Sequence, residues 1–213
     1  MVTFQRTDPL FVIGLRYPDS PAVLGELKVP GYSTYLHPYE GNLLIGLGKD
    51  ADASGRETGG IKLSLFDASD VSSPKEVDNY VFGGYGSDSA ALREPKAFLF
   101  SREKNLLVIP AVVRGENASN RYDHKTEAAG SAVFRVDEAG FELRGYVDHR
   151  TDADKKTGYQ YGGEARRSLY IGDNLYSISG NFLKINGLAD LSEVKSVALP
   201  EAENLHGDYG WDE

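Results

Sequence analysis

Asp50-Ala-Asp52-Ala-Ser54-Gly55 carries the plainest chemical pattern in the chain. Oxygen-bearing side chains at alternate positions can converge on a hard cation, and the glycine permits the sharp bend that convergence needs. A helix–loop–helix calcium hand would require a bidentate glutamate at the twelfth position, and Ile61 stands there. That arrangement is excluded. A shorter calcium hairpin closed by Glu57 remains, with Asp50, Asp52, Ser54 and Glu57 as ligands. The plain alternative is a turn, because Asp, Ser and Gly favour turns for backbone reasons alone. Asp152-x-Asp154 has the same spacing but is followed at once by Lys155 and Lys156.

Other chemistry is sparse. His37, His124, His149 and His206 are scattered and match no His-Glu-x-x-His spacing. His37 precedes a proline in an apolar strand and reads as a packed histidine. A His-plus-carboxylate site combining His124 or His149 with Asp123 or Asp148 is the enzymatic alternative, of the hydrolase or lyase kind. No nucleophile elbow, phosphate loop or dinucleotide fingerprint occurs, and Asn117-Ala-Ser119 fits a glycosylation sequon. There is no cysteine, hence no disulfide or thiolate metal site. A net charge of −9 disfavours nucleic acid, since no Lys/Arg stripe is present to displace phosphate counterions. No 18-residue apolar run and no basic–apolar leader pattern appears, so the chain reads as soluble and without a membrane span.

The elements that must position these residues are strands. The 24 Gly, 13 Tyr and 9 Phe favour strands and turns, and no long stretch shows a 3.6-residue apolar period. Four segments share one shape: "LFVIGLRYPDSPAVLGELKVPG", "LSLFDASDVSSPKEVDNYVFGG", "SAVFRVDEAGFELRGYVDH" and "FLKINGLADLSEVKSVALP". Each reads as a strand, a polar turn and a second alternating strand. A further strand pair precedes the last three, turning at 40–42, 102–105 and 172–174. Ile13, Phe66, Phe134 and Asn186 fall in equivalent places, spaced 53, 68 and 52 residues apart. Four-stranded units repeating at roughly 40–50 residues are the mark of propeller blades. A β-sandwich with accidental similarity is the alternative. The reading is all-β: a half blade at 10–31, blades at 32–84, 96–149 and 164–200, and a tail at 201–213.

The pattern resembles the secreted β-propeller domains of bacteria and archaea, distantly related to WD-repeat propellers. The resemblance rests on "GYSTYLHPY", "GKDADASGRETGGIKLSLFDASDVSSPKEV", "SAALREPKAFLF" with "KNLLVIP", and "RRSLYIGDNLYSIS", and runs from about residue 8 to 200. It implies an extracellular or cell-surface setting and a longer protein with an export signal and further blades upstream. It implies no particular reaction or ligand. Glu94-Pro95 stands where similar proteins tend to show Asp-His.

Strands in a blade alternate direction, so the long connections 50–60, 84–95, 114–130 and 150–163 all emerge on one face. Insertions confined to one face of a repeat array mark a binding surface. These connections carry Tyr85, Arg93, Arg114, Arg121, Tyr122, His124, Arg150, Tyr159 and Tyr161, and Tyr and Arg are enriched where proteins bind. The expectation is a non-catalytic module binding a protein or glycan there, with calcium as its candidate metal. The recurring Asp and Ser of the strand-pair turns (Asp67, Asp70, Asp190) read as turn caps. Three and a half blades leave open strand edges, which points to a homodimer or to closure by blades upstream.

Overall fold

A computed structural model describes residues 9–52, 57–115, 125–158 and 162–200. Two strands come first, β1 (Leu10–Gly14) and β2 (Ala22–Leu27), paired antiparallel. The first full blade is β3 (Tyr32–Glu40), β4 (Leu43–Ala51), β5 (Glu57–Asp67) and β6 (Lys75–Phe82). The second is β7 (Leu99–Ser101), β8 (Leu106–Arg114), β9 (Thr126–Asp137) and β10 (Gly140–Asp148). A short helix, α1 (Asp152–Thr157), leads to the third: β11 (Arg167–Ile171), β12 (Asn174–Ile178), β13 (Phe182–Gly187) and β14 (Glu193–Ala198). Every blade is a four-stranded antiparallel meander in chain order. The described residues are therefore all-β, with three blades and a half blade, as the repeated hairpins predict.

One irregularity confirms the repeat at single-residue level. Each outer strand pair slips register at the same point: at Val12/Ile13, at Leu65/Phe66, opposite Val133/Phe134, and at Ile185/Asn186. A bulge bends and twists the strand that carries it, so its recurrence gives each unit the same curvature. Ile13, Phe66, Phe134 and Asn186 are thus equivalent by structure.

The blades pack face to face. Ile45, Leu47, Leu63 and Leu65 of the first blade meet Leu107, Ile109 and Phe134 of the second, all fully buried. Leu106, Val108 and Val133, on the opposite side of the second blade, meet Leu175 and Leu188 of the third. A sheet buried on both faces needs apolar residues at every position, and β8 from Leu106 to Val112 is buried throughout.

The turns behave as capped turns. The Asp67 carboxylate accepts from Ser69 N at 2.8 Å, Asp70 from Ser72 N at 3.0 Å, and Asp190 from Ser192 N at 3.0 Å; each also accepts from the same serine's hydroxyl. Those serine hydroxyls are the main cause holding all three carboxyls below the usual aspartate range.

The connection after the second blade differs from the loop expected there. Thr151 and Asp154 form a capping box: Asp154 accepts from Thr151 N at 2.9 Å and Thr151 Oγ1 accepts from Asp154 N at 3.1 Å. Lys155 and Lys156 sit in the last turn, and Gly158 closes α1 in the left-handed region. The Asp-x-Asp of 152–154 is thereby a helix start, with Asp154 turned inward to its cap.

Candidate functional site

The meander puts the β4–β5, β8–β9 and β12–β13 links at the same end of the blades as the connections between blades. Turns 41–42, 102–105, 138–139 and 172–173 lie at the other end. The long segments gather where the alternation of strands predicts, although the 179–181 link at that end is short.

The connection 83–98 is a built structure. Two 3₁₀ turns occupy it, Ala90–Leu92 capped by Ser89 and Pro95–Ala97 capped by Glu94, whose carboxylate accepts from Lys96 N. Asp88 exchanges both backbone hydrogen bonds with Val112. Arg93 holds the Asp88 carboxylate with two nitrogens, at 3.1 and 2.6 Å. Burial pushes the Asp88 carboxyl up, but the Arg93 hydrogen bonds and charge outweigh it and leave it below the usual range. Tyr85 lies over Gly59, where an added Cβ would stand 2.3 Å from the Tyr85 Cα; Gly59 has φ +90. Lys49 spans from the first blade to this segment, donating to the carbonyls of Gly59 and Ser87.

Arg114 and Arg150 are anchored. Arg114 donates from its side chain to Thr126 Oγ1 at 2.5 Å and from its backbone to Ser87 Oγ at 2.9 Å. Burial lowers its pKa, offset by Glu164. The Arg150 guanidinium, 9% exposed, grips the Asp148 carboxylate from two nitrogens and donates to the carbonyls of Thr126 and Glu127. It therefore fastens the start of β9 to the connection that follows β10. Such a fork, geometrically matched to a carboxylate, is a rigid fixture.

His149 does not present a base to solvent. It is fully buried, with Nε2 2.7 Å from Ser177 Oγ across the blade contact, and burial lowers its pKa to about 4. Asp148 is committed to Arg150, so this His-carboxylate neighbourhood is a structural joint. His37 is likewise packed: its Nδ1 is 2.9 Å from Tyr35 Oη, and it lies among Tyr35, Phe98 and Phe100.

Of the expected binding residues, Tyr85, Arg93, Arg114 and Arg150 come to this end. Arg121, Tyr122, His124, Tyr159 and Tyr161 lie outside the described residues. Of the expected metal ligands, Asp50 and Asp52 are half-buried at the end of β4 and each is already engaged, Glu57 opens β5 opposite Ala51, and Ser54 lies outside the described residues. Among the described residues no group of three or more His, Cys, Asp or Glu is placed to hold a metal. Asp88, Glu164 and Lys49 belong to this end without having stood out in the sequence. Asp88-x₄-Arg93 was the available signal, but a short loop pairing has no fixed spacing to recognise.

The repeated meander, its recurrent bulge and face-to-face packing define a propeller-type repeat protein. The chain belongs to the beta propeller domain family, whose model matches residues 1–191. It is 38% identical over 179 residues to an uncharacterized protein of Methanocaldococcus jannaschii, covering 84% of this chain and 23% of that one. It is 43% identical over 115 residues to one of Archaeoglobus fulgidus, covering 54% and 17%. The chain thus spans about a quarter or less of the length of these curated relatives. A solved structure, the AfRom2 CNH domain, overlaps 83% of this chain and 58% of that one at 10% identity, with a TM-score of 0.30, too loose to bear on the fold.

Proposed function

We propose that this propeller domain is a non-catalytic binding module that works outside the cell or at its surface, and that its long-loop end holds a protein or glycan ligand. The observation that carries the reading is the gathering of long connections at one end of the blades, with Tyr85 and Arg93 exposed on a braced segment. Bracing matters because a pre-ordered surface loses less entropy on binding. The resemblance to secreted propeller domains supports the extracellular setting. Among the described residues no helix is long and apolar enough to cross a membrane.

The test is a screen of the purified chain against immobilised glycans and purified extracellular proteins. Binding should fall about tenfold or more with Tyr85→Ala or Arg93→Ala, as for residues at the centre of an interface. Val71→Ala, at the opposite end, should leave it unchanged. Binding that followed Val71 and ignored Tyr85 would move the site to the short-turn end. Hydrolytic turnover lost on His124→Ala would replace the module with an enzyme.

A further inference from the structure

The outer face of the third blade carries the side chains that, in the other blades, form the joint to the next one. Leu175, Ser177, Ser168 and Tyr170 face the second blade, through Leu106 and through hydrogen bonds to His149, Ser131 and Ser101. Strand alternation therefore turns Tyr176, Ile178, Leu183 and Ile185 to the other side. By ladder position these match Ile45, Leu47, Leu63 and Leu65 of the first blade, each 0% exposed against the second. In the third blade the set is only partly covered, and Ile178 is 37% exposed.

The half blade carries the opposite surface. Leu10 is buried towards the first blade, so Phe11 and Ile13 face away, beside Val23 at 63% exposure. Ile13 is the equivalent of Phe66 and Phe134, which face the preceding unit and are buried there. One chain thus presents the leading side of a blade contact at one end and the trailing side at the other.

A second feature selects the fit. The residue just past each bulge on the outermost strand touches the outer turn of the next unit. Gly25 stands against Val71 and Ser72, where an added Cβ would lie 2.2 Å from the Val71 carbonyl oxygen. Asp78 accepts from Phe141 N at 2.9 Å, and Gly145 lies against Leu191. In the third blade this position is the exposed Lys195. Aligning Ser20-Pro21 with Ser73-Pro74 puts exposed Asp19 of the half-blade turn where Ser72 stands. Arg16, in the same turn, lies over the Tyr17 ring instead.

We propose that the outer face of the third blade seats the half blade of a second copy of this chain, with Ile178 and Ile185 against Phe11 and Ile13, and Lys195 paired with Asp19. The contact is head to tail, so two copies make it twice and the ring closes when each copy spans half a turn. The ligand end described above is not part of the contact.

Sedimentation velocity of the 213-residue chain over a concentration series tests it, with circular dichroism confirming that each variant folds. A reversible dimer is expected. Lys195→Asp and Asp19→Lys should each weaken it roughly threefold to tenfold, the scale of an exposed pair turned repulsive. The double exchange should restore it, and Ile178→Arg should abolish it. A chain that stays monomeric at every concentration overturns the proposal and gives the face to a blade from a longer polypeptide. A double variant no better than the singles overturns it as well.

Discussion

The joint between the first and second blades and the joint between the second and third are built from equivalent strands but filled with different side chains. The first is aromatic and aliphatic: Phe134 packs against Tyr80 and Phe82 with ring centroids 5.5 and 5.4 Å away, and the leucines around it are fully buried. The second replaces much of this with polar pairs, His149–Ser177, Ser131–Ser168 and Ser101–Tyr170. At the position of Phe66 and Phe134, the third blade has Asn186, whose amide donates to Leu191 O at 2.8 Å. Apolar burial is proportional to area and indifferent to direction, whereas buried hydrogen bonds add little net stability but require defined geometry. The first joint should therefore supply more of the stability, and the second should respond more steeply to acid, because His149 is fully buried while His37, against Phe98 and Phe100 in the first, is only half-buried.

The largest effect should come from emptying the first joint. Phe134→Ala should cost about 3–5 kcal/mol in denaturant unfolding, and Leu175→Ala in the second joint about 2–3 kcal/mol. Equal costs would mean that the two joints do not differ in the way their side chains suggest.

Next in size is the response to acid. His149 is buried neutral with a pKa of about 4 against 6.5 when unfolded. The unfolded chain binds the proton more readily, so the stability from the neutral histidine is complete above pH 6.5 and is lost as pH falls towards 4. The loss should approach ~3 kcal/mol across that window. Melting temperatures of the parent and His149→Asn proteins, compared between those pH values, should show the parent falling more steeply. Parallel curves would show that His149 does not titrate between those pH values.

The smallest effect separates the joints at their rims. Arg102 reaches Glu40 at 3.0 Å across the first joint and Glu138 at 3.1 Å within its own blade, and Lys104 reaches Asp173 at 3.5 Å across the second. Exposed pairs are weak and screened by salt. Arg102→Ala and Lys104→Ala should each lower the melting temperature slightly at low ionic strength and hardly at all in high salt. A loss that persists in salt would point to packing instead, through the Tyr39 ring that Arg102 covers at 5.0 Å.

The blade pattern was legible because strand structure repeats every two residues and hairpin turns need Asp, Ser, Gly or Pro. Both marks recur around Asp67, Asp70 and Asp190, and all three carboxylates cap their turns. The helix at 152–157 differs from the loop expected over 150–163; its local mark is Thr151-x-x-Asp154 followed by two lysines and Gly158, a capping pattern on a segment too short to show an apolar period. His149 could not be read from the sequence. Its flanking Asp148 and Arg150 suggest a charged site, while strand alternation turns the histidine inward and leaves the two charges to each other.

The sequence alone determined the element type, the repeat and its phase, because these follow from local backbone preference and from which side of a strand is apolar. Tertiary structure alone decided the partners: which arginine is held by Asp88, by Asp148 or by a carbonyl, and whether a histidine meets water or Ser177. Those outcomes depend on residues 2 to 69 positions apart being brought within about 3 Å, by the path of the connections and by how one blade seats on the next.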